Sequence, residues 1–402
     1  MGSYSELLKT PGVARIIAAQ LTARFPGGML SLAFLLHVEQ QTGSYGSAGL
    51  VLAATSIGQA VAGPLTSRLM GRFGMRPVLI LTLVVCASAV VAIGTLPLTV
   101  PLYMAIGLVC GLATPPVQPA VRTIYPKMVN SRQLTPLFSL DASAQEIIWV
   151  VGPVVTTFVS TQVGTEWGIL LAAVMMIGGG IWFISSPELG RVRIPRSKRR
   201  FGTVLARPPV LLATVVGFLL IAACAAIEAG VVAVFGHGGA EAGIVLAIFS
   251  VGSLAGGLFL GHVPIGPWST ARRMGIVFVG TALAAFGMNF PWLSVSLFIA
   301  GIGIAPALAV LFAIVSASVK FSDTAEAYGW VGTGQLIGAA LGSALAGLLI
   351  DEFTAVGAFW AAGAFAFLGV LVPVLGVRWH PDLRGRDASP LPDTEPVQVT
   401  PS

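Results

Sequence analysis

The chain has 402 residues, 55% of them apolar and 9% charged, with 49 glycines and a mean hydropathy of +0.90. Soluble domains carry roughly 25% charged residues, so this composition excludes a small water-soluble fold and indicates an integral membrane protein. The net charge of +6 implies no acidic partner and no nucleic acid, because the basic residues sit in short segments between apolar runs.

A membrane-spanning helix needs about 20 apolar residues. Runs bounded by charge, Pro or Gly predict spans at 13–38, 47–69, 77–96, 99–121, 135–160 and 167–186, then at 209–235, 241–262, 273–290, 292–318, 325–350 and 355–377. Met1 to Thr10 is polar and the first apolar run contains an arginine, so no cleavable signal peptide is expected. The expected fold is all-α, twelve transmembrane helices in two six-helix bundles. Residues 1–188 form the first bundle, 189–208 a cytoplasmic basic linker, 209–379 the second bundle and 380–402 a disordered tail rich in Pro and polar residues.

Ionisable groups inside membrane helices are costly and usually functional. In the first span Arg24 lies near the midplane, followed by Pro26-Gly27-Gly28, which loosens the helix. Arg68, Arg72 and Arg76 fall between the second and third spans. Pro115, Pro116 and Pro119 interrupt the fourth span, and Pro306 the tenth; these are candidate gating hinges, because proline removes an intrahelical hydrogen bond. Arg122 is read as a loop residue between the fourth and fifth spans.

The fifth span carries Asp141, nearer its start, and Glu146, near the midplane. Glu146 and Trp149 are three apart and share a face, which makes an acid beside an aromatic platform. Glu146 is expected to pair with Arg24. Gly152-Pro153 then distorts the helix. Glu228 lies in the seventh span. Glu326, at the start of the eleventh, suits the helix dipole and shares a face with Trp330, four residues on. Trp167, Trp182, Trp292 and Trp379 fall near span ends and are expected anchors.

The stretch Leu189 to Arg207 holds seven of the twenty-two Lys and Arg residues. With both termini cytoplasmic, the positive-inside bias places twenty-one of the twenty-two on one side, and the loops on the other side contain none. A multi-pass protein of the cell (inner) membrane is expected. Cys86, Cys110 and Cys224 all lie in apolar runs, without disulfide or metal-ligand spacing, so neither metal nor cofactor is expected.

An internal repeat supports two parallel halves. Residues 48–65 align without gaps to 242–259 at an offset of 194, with eight identities that include Gly58/Gly252 and Gly63/Gly257. Gly107 and Gly301 fall at the same offset. Such repeats form a binding site at their interface near the midplane, with access alternating by rocking of the halves.

At this point the chain resembles the major facilitator superfamily over essentially its full length. That family's loop between helices 2 and 3 reads Gly-x-x-x-Asp-basic-x-Gly-basic-basic. Here Arg72, Gly74 and Arg76 match, whereas Ser67, Gly71 and Met75 depart. The missing acid at Gly71 matters, because in the family it helps latch this loop onto the start of helix 11. Gly152-Pro153 resembles the Gly-Pro element that many exporters of the superfamily carry in helix 5, without its surrounding glycines.

The function expected is secondary transport, as a monomer surrounded by membrane lipid and not as an enzyme. The favoured form is proton-coupled export of a small amphiphilic organic compound. Coupling would come from an acid in the low-dielectric cavity, Glu146 first and Asp141 second, which proton and substrate occupy alternately. Arg24, Trp149, Glu228 and Trp330 are the candidate substrate contacts. Arg72, Arg76, Pro115, Pro116, Gly152, Pro153 and Glu326 are the candidate gating residues. The alternative is symport-driven uptake of a small polar or anionic metabolite, with Arg24 as anion anchor. A non-transporting sensor or lipid-handling protein on the same fold is a further alternative.

Overall fold

The computed structural model describes residues 2–197, 199–235, 240–385 and 388–393; Lys198, the loop containing His237 and the last nine residues lie outside the described residues. Spans 1 to 6 are Val13–Thr42, Gly46–Phe73, Met75–Thr95, Val100–Lys127, Ser131–Gln162 and Thr165–Ser185. Spans 7 and 8 are Pro208–Phe235 and Glu241–Leu260, and spans 10 to 12 are Phe290–Ser318, Phe321–Phe353 and Ala355–Leu375. Span 9, Ser269–Ala284, is a 16-residue helix. It starts and ends earlier than predicted. After it the chain turns through Gly287, and the Asn289 side chain caps span 10 at the Trp292 amide, 3.0 Å away.

Two spans are broken where the sequence weakens them. In span 1 a 3-10 turn, Phe25–Gly28, interrupts the α-helix directly after Arg24. In span 4 the helix stops at Leu112 and resumes at Val117, across Pro115 and Pro116. Pro119 lies within the resumed helix, and Pro306 within an unbroken span 10.

Spans 1–6 pack among themselves, as do spans 7–12. The repeat explains part of this packing. Gly58 and Gly252 each lie against a backbone carbonyl of the span two further on, with Leu108 O 2.5 Å and Phe298 O 2.4 Å from where a Cβ would stand. Small residues let membrane helices approach this closely. A further identical pair of the repeat, Gly63 and Gly257, lies instead on the seam between the bundles. A Cβ on Gly63 would stand 3.2 Å from Gly329 O of span 11, and one on Gly257 would strike Ser143 of span 5. Hydrogen bonds cross the seam beside them: Ser139 Oγ donates to Gly257 O at 2.7 Å, and Thr333 Oγ1 to Ala60 O at 2.7 Å.

The linker and tail share one face of the molecule, called here the linker face. The tail lies along this face through Asp393, apart from 386–387, which are not described. Leu383 N donates to Ile265 O at 2.9 Å. Leu391 pairs through its backbone with Val319 and Phe321, and the Asp393 carboxylate accepts from Ser322 N at 3.1 Å. These bonds run mainly through the backbone and need no apolar side chains.

Arg122, expected in a loop, and Arg273, at the start of the predicted ninth span, are both buried. Arg273 donates to Pro306 O at 2.9 Å and Val263 O at 3.3 Å, supplying donors to carbonyls inside the second bundle. Arg122 lies in the last turn of Val117–Ile124 and is 3% exposed.

Candidate functional site

Three spans of the first bundle each contribute two polar residues four apart, which a helix stacks on one face. Span 1 brings Gln20 and Arg24, span 4 brings Gln118 and Arg122, and span 5 brings Asp141 and Gln145. The six converge. Asp141, fully buried, accepts from Arg122 Nε at 2.9 Å, Gln20 Nε2 at 3.0 Å, Tyr125 Oη at 3.3 Å and Arg24 Nη1 at 3.4 Å. Arg24 also donates to Gln20 Oε1 at 2.8 Å and to Gln145 Oε1.

This arrangement corrects the expected Arg24–Glu146 pair. Residue 145, four from 141, faces Arg24, whereas residue 146 is turned about 100° further around the helix. Glu146 points across the seam instead, where Ser253 Oγ of span 8 donates to it at 3.0 Å. Glu228 of span 7 is close enough to interact electrostatically with it, and Cys224 lies near both. Neither acid is ion-paired among the described residues. Trp149 remains half exposed.

Toward the linker face the cluster is capped by aromatics from both bundles. The Arg122 guanidinium lies 3.4 Å from the centroid of the Phe312 ring, a cation–π contact across the seam. Phe138 packs against Tyr125, Phe312 and Tyr328 at 6.0 to 6.4 Å.

Beyond this plug lies a second set of contacts, built largely from the linker. Glu326 accepts from Arg68 Nη1 at 2.9 Å and from Gly202 N at 2.8 Å. Asp323 accepts from Ser197 Oγ at 2.6 Å and is ion-paired with Arg199 at 3.5 Å. Phe201 lies between Arg68 and Trp330, 5.7 Å from each. Trp330, expected at the substrate, therefore belongs to this clasp, because it sits less than two turns into the α-helix of span 11 that starts at Thr324. The missing acid at Gly71 has a local counterpart: a Cβ there would lie 3.2 Å from Pro195 O, so the linker passes close over this residue.

Of the expected gating residues, Glu326 is in the clasp, partnered by Arg68. Arg72 is exposed and lies over Phe73, 5.1 Å from its ring. Arg76 donates to Ser186 O within its own bundle at 3.3 Å. It also lines a largely apolar groove of about 990 Å³ between spans 3 and 6, away from the charged cluster. Gly152 meets Gly28 where spans 1 and 5 cross, with Gly28 C 2.9 Å from where its Cβ would stand; Pro153 follows inside an unbroken helix. Pro115 and Pro116 set the break above Gln118 and Arg122.

Sequence reasoning missed Arg122, Gln20, Gln145 and Ser253. The first three were detectable as polar pairs at four-residue spacing. Ser253 carried no such signal.

The family described as Major Facilitator Superfamily matches residues 16–288 and 225–400. No match was found among curated proteins. Among solved structures, the human organic anion transporter MFSD10 (TETRAN) is 15% identical with a TM-score of 0.70, covering 90% of this chain and 100% of that one. A bacterial homologue of the iron transporter ferroportin in an outward-facing state is 12% identical with a TM-score of 0.73, covering 91% and 98%. The proton:xylose symporter XylE bound to 6-bromo-6-deoxy-D-glucose is 13% identical with a TM-score of 0.68, covering 94% and 97%.

Proposed function

The chain belongs to the major facilitator superfamily and is a multi-pass membrane transporter, and from that premise we propose proton-coupled export of a small amphiphilic organic compound through the space between its bundles. The observation that carries this reading is the Glu146–Ser253 hydrogen bond, with Glu228 beside it. A carboxyl group that bonds across the seam couples its own charge to the distance between the bundles. Protonation removes that charge; substrate arriving at the same group competes with the proton. Alternation between the two then accompanies rocking of the halves.

Glu146 is the coupling acid in this reading, and Asp141 the second candidate. Arg24, Glu228 and Trp149 are substrate contacts. The plug at Phe138 and Phe312 and the Arg68–Glu326 clasp form the linker-face gate, with the Pro115-Pro116 break and the Gly28–Gly152 crossing as hinges. The linker face is cytoplasmic, because the basic residues gather there. Symport of a small anionic metabolite is a second reading, favoured by two arginines converging on one carboxylate.

Proteoliposomes carrying an imposed pH gradient provide the test. Glu146→Gln keeps the shape and removes the charge change, so it abolishes accumulation driven by protons and leaves gradient-free exchange largely intact. A Gln variant that still concentrates substrate against its gradient excludes Glu146 as the coupling site.

A further inference from the structure

The charges around Asp141 do not balance. Arg24 and Arg122 both pair with it, at 3.4 and 2.9 Å. Among the described residues Asp141 is the one carboxylate ion-paired with either guanidinium. The other partners, Gln20, Gln145, Tyr125 and the ring of Phe312, are neutral. Two cations and one anion leave a net positive charge inside the membrane, where an uncompensated ion is costly. One arginine would have sufficed to pair Asp141.

The two arginines are not equivalent. Arg122 is 3% exposed and sealed beneath Phe312, whereas Arg24 retains 12% of its side-chain surface. Arg24 also has the longer bond to Asp141. The 3-10 turn after it returns the chain to the same side three residues on, at Gly27. No atom lies within 4 Å of where a Gly27 Cβ would stand. Arg24 is thus the cation of the cluster with open space next to it.

We propose that Arg24 is the anion-binding group of the substrate site, and that the substrate is an organic acid in its anionic form, a carboxylate or sulfonate on an apolar body. This deepens the transporter reading and rests on it. The planar guanidinium fork matches the two oxygens of such a group. Gln20 and Gln145 hold the fork in place without neutralising it. The ligand's charge completes the balance that Asp141 leaves open.

The test uses the purified full-length chain in nanodiscs and three probes of one shape: 1-naphthoate, 1-naphthalenesulfonate and the neutral 1-naphthamide. Octanoate and octanamide form a second, flexible pair. Thermal melting reports binding, because a ligand of the folded state raises the melting temperature. The acids are expected to bind roughly ten- to a hundredfold more tightly than the matched amides, the range for a hydrogen bond to a charged group. Arg24→Gln removes that preference while lowering the ligand-free melting temperature far less than Asp141→Asn does, and Arg24→Lys retains part of it. The proposal is overturned if amides stabilise as well as acids, if no acid shifts the melting, or if acids stabilise Arg24→Gln as they do the native chain. Failure here, together with proton-driven movement of other compounds, leaves the transporter reading intact. Acid binding without proton-driven movement does the reverse.

Discussion

Ser139 and Thr333 are 194 residues apart, the offset of the internal repeat, and each bonds across the seam from its own bundle. Each donates its hydroxyl across the seam to a backbone carbonyl, Gly257 O and Ala60 O respectively, both at 2.7 Å. The donors thus follow the repeat, whereas their acceptors lie three residues off it. Each such buried bond contributes only about 1 kcal/mol net, but both exist only while the helices are in close approach.

That closeness depends on glycine. A Cβ on Gly329 would stand 2.6 Å from Gly63 O, a backbone atom in the middle of a helix. Gly329→Val should hold the linker face apart while leaving each bundle folded. Cysteines at Ala60 and Thr333 should cross-link readily in the native background and poorly in the variant, and transport should fall at least tenfold. Unchanged cross-linking and transport would show that this approach is not needed for closure.

The Asp141 cluster makes an asymmetric prediction. Asp141→Asn leaves two buried guanidiniums without a counter-charge and should destabilise by about 3–5 kcal/mol. Arg24→Gln leaves Asp141 paired with Arg122 and should cost far less. Arg24→Ala and Glu146→Ala should be additive, because these residues do not touch. Denaturation of the single and double variants provides the comparison; an Arg24→Gln cost equal to that of Asp141→Asn contradicts this charge count.

Much of the fold was legible in the sequence because the bilayer enforces it. Unbroken apolar runs, the two prolines at 115 and 116 and the ungapped repeat each leave a one-dimensional trace. The partner of Arg24 did not, since depth alone points to Glu146, near the midplane, rather than to Asp141, nearer the start of its span. Only the four-residue spacing of Gln20–Arg24 and Asp141–Gln145 separates them, by placing Glu146 on another face. Arg122 was misplaced because an arginine at the end of an apolar run looks like a boundary. Its burial depends on Asp141 and on Phe312, a residue from the other half of the chain.

Outside the membrane, Glu188 carries a pH dependence. Burial pushes its carboxyl up, but the hydrogen bond and charge of Arg15 outweigh this and hold it below the usual carboxylate value. A carboxyl lowered on folding adds stability above its unfolded pKa of about 4.3, and that stability is lost as pH falls through the folded value. The melting temperature of the native chain should exceed that of Glu188→Gln at pH 7, with the gap closing toward pH 3. A gap that widens on acidification would reverse the sign.

The Arg68–Glu326 ion pair beneath the linker joins span 2 to span 11, so it exists only while the two bundles meet at this face. A contact present in one conformation alone alters the resting population of each conformation. If the clasp favours the shut arrangement by about 1.4 kcal/mol, roughly ten molecules wait shut for each one open. Cargo arriving from the opposite face then finds almost every molecule ready. Cargo arriving from the linker face finds few, and binds with an apparent affinity about tenfold weaker, although every atom of the site is the same. A preferred direction of traffic can thus be set by a segment outside the charged cluster between the bundles.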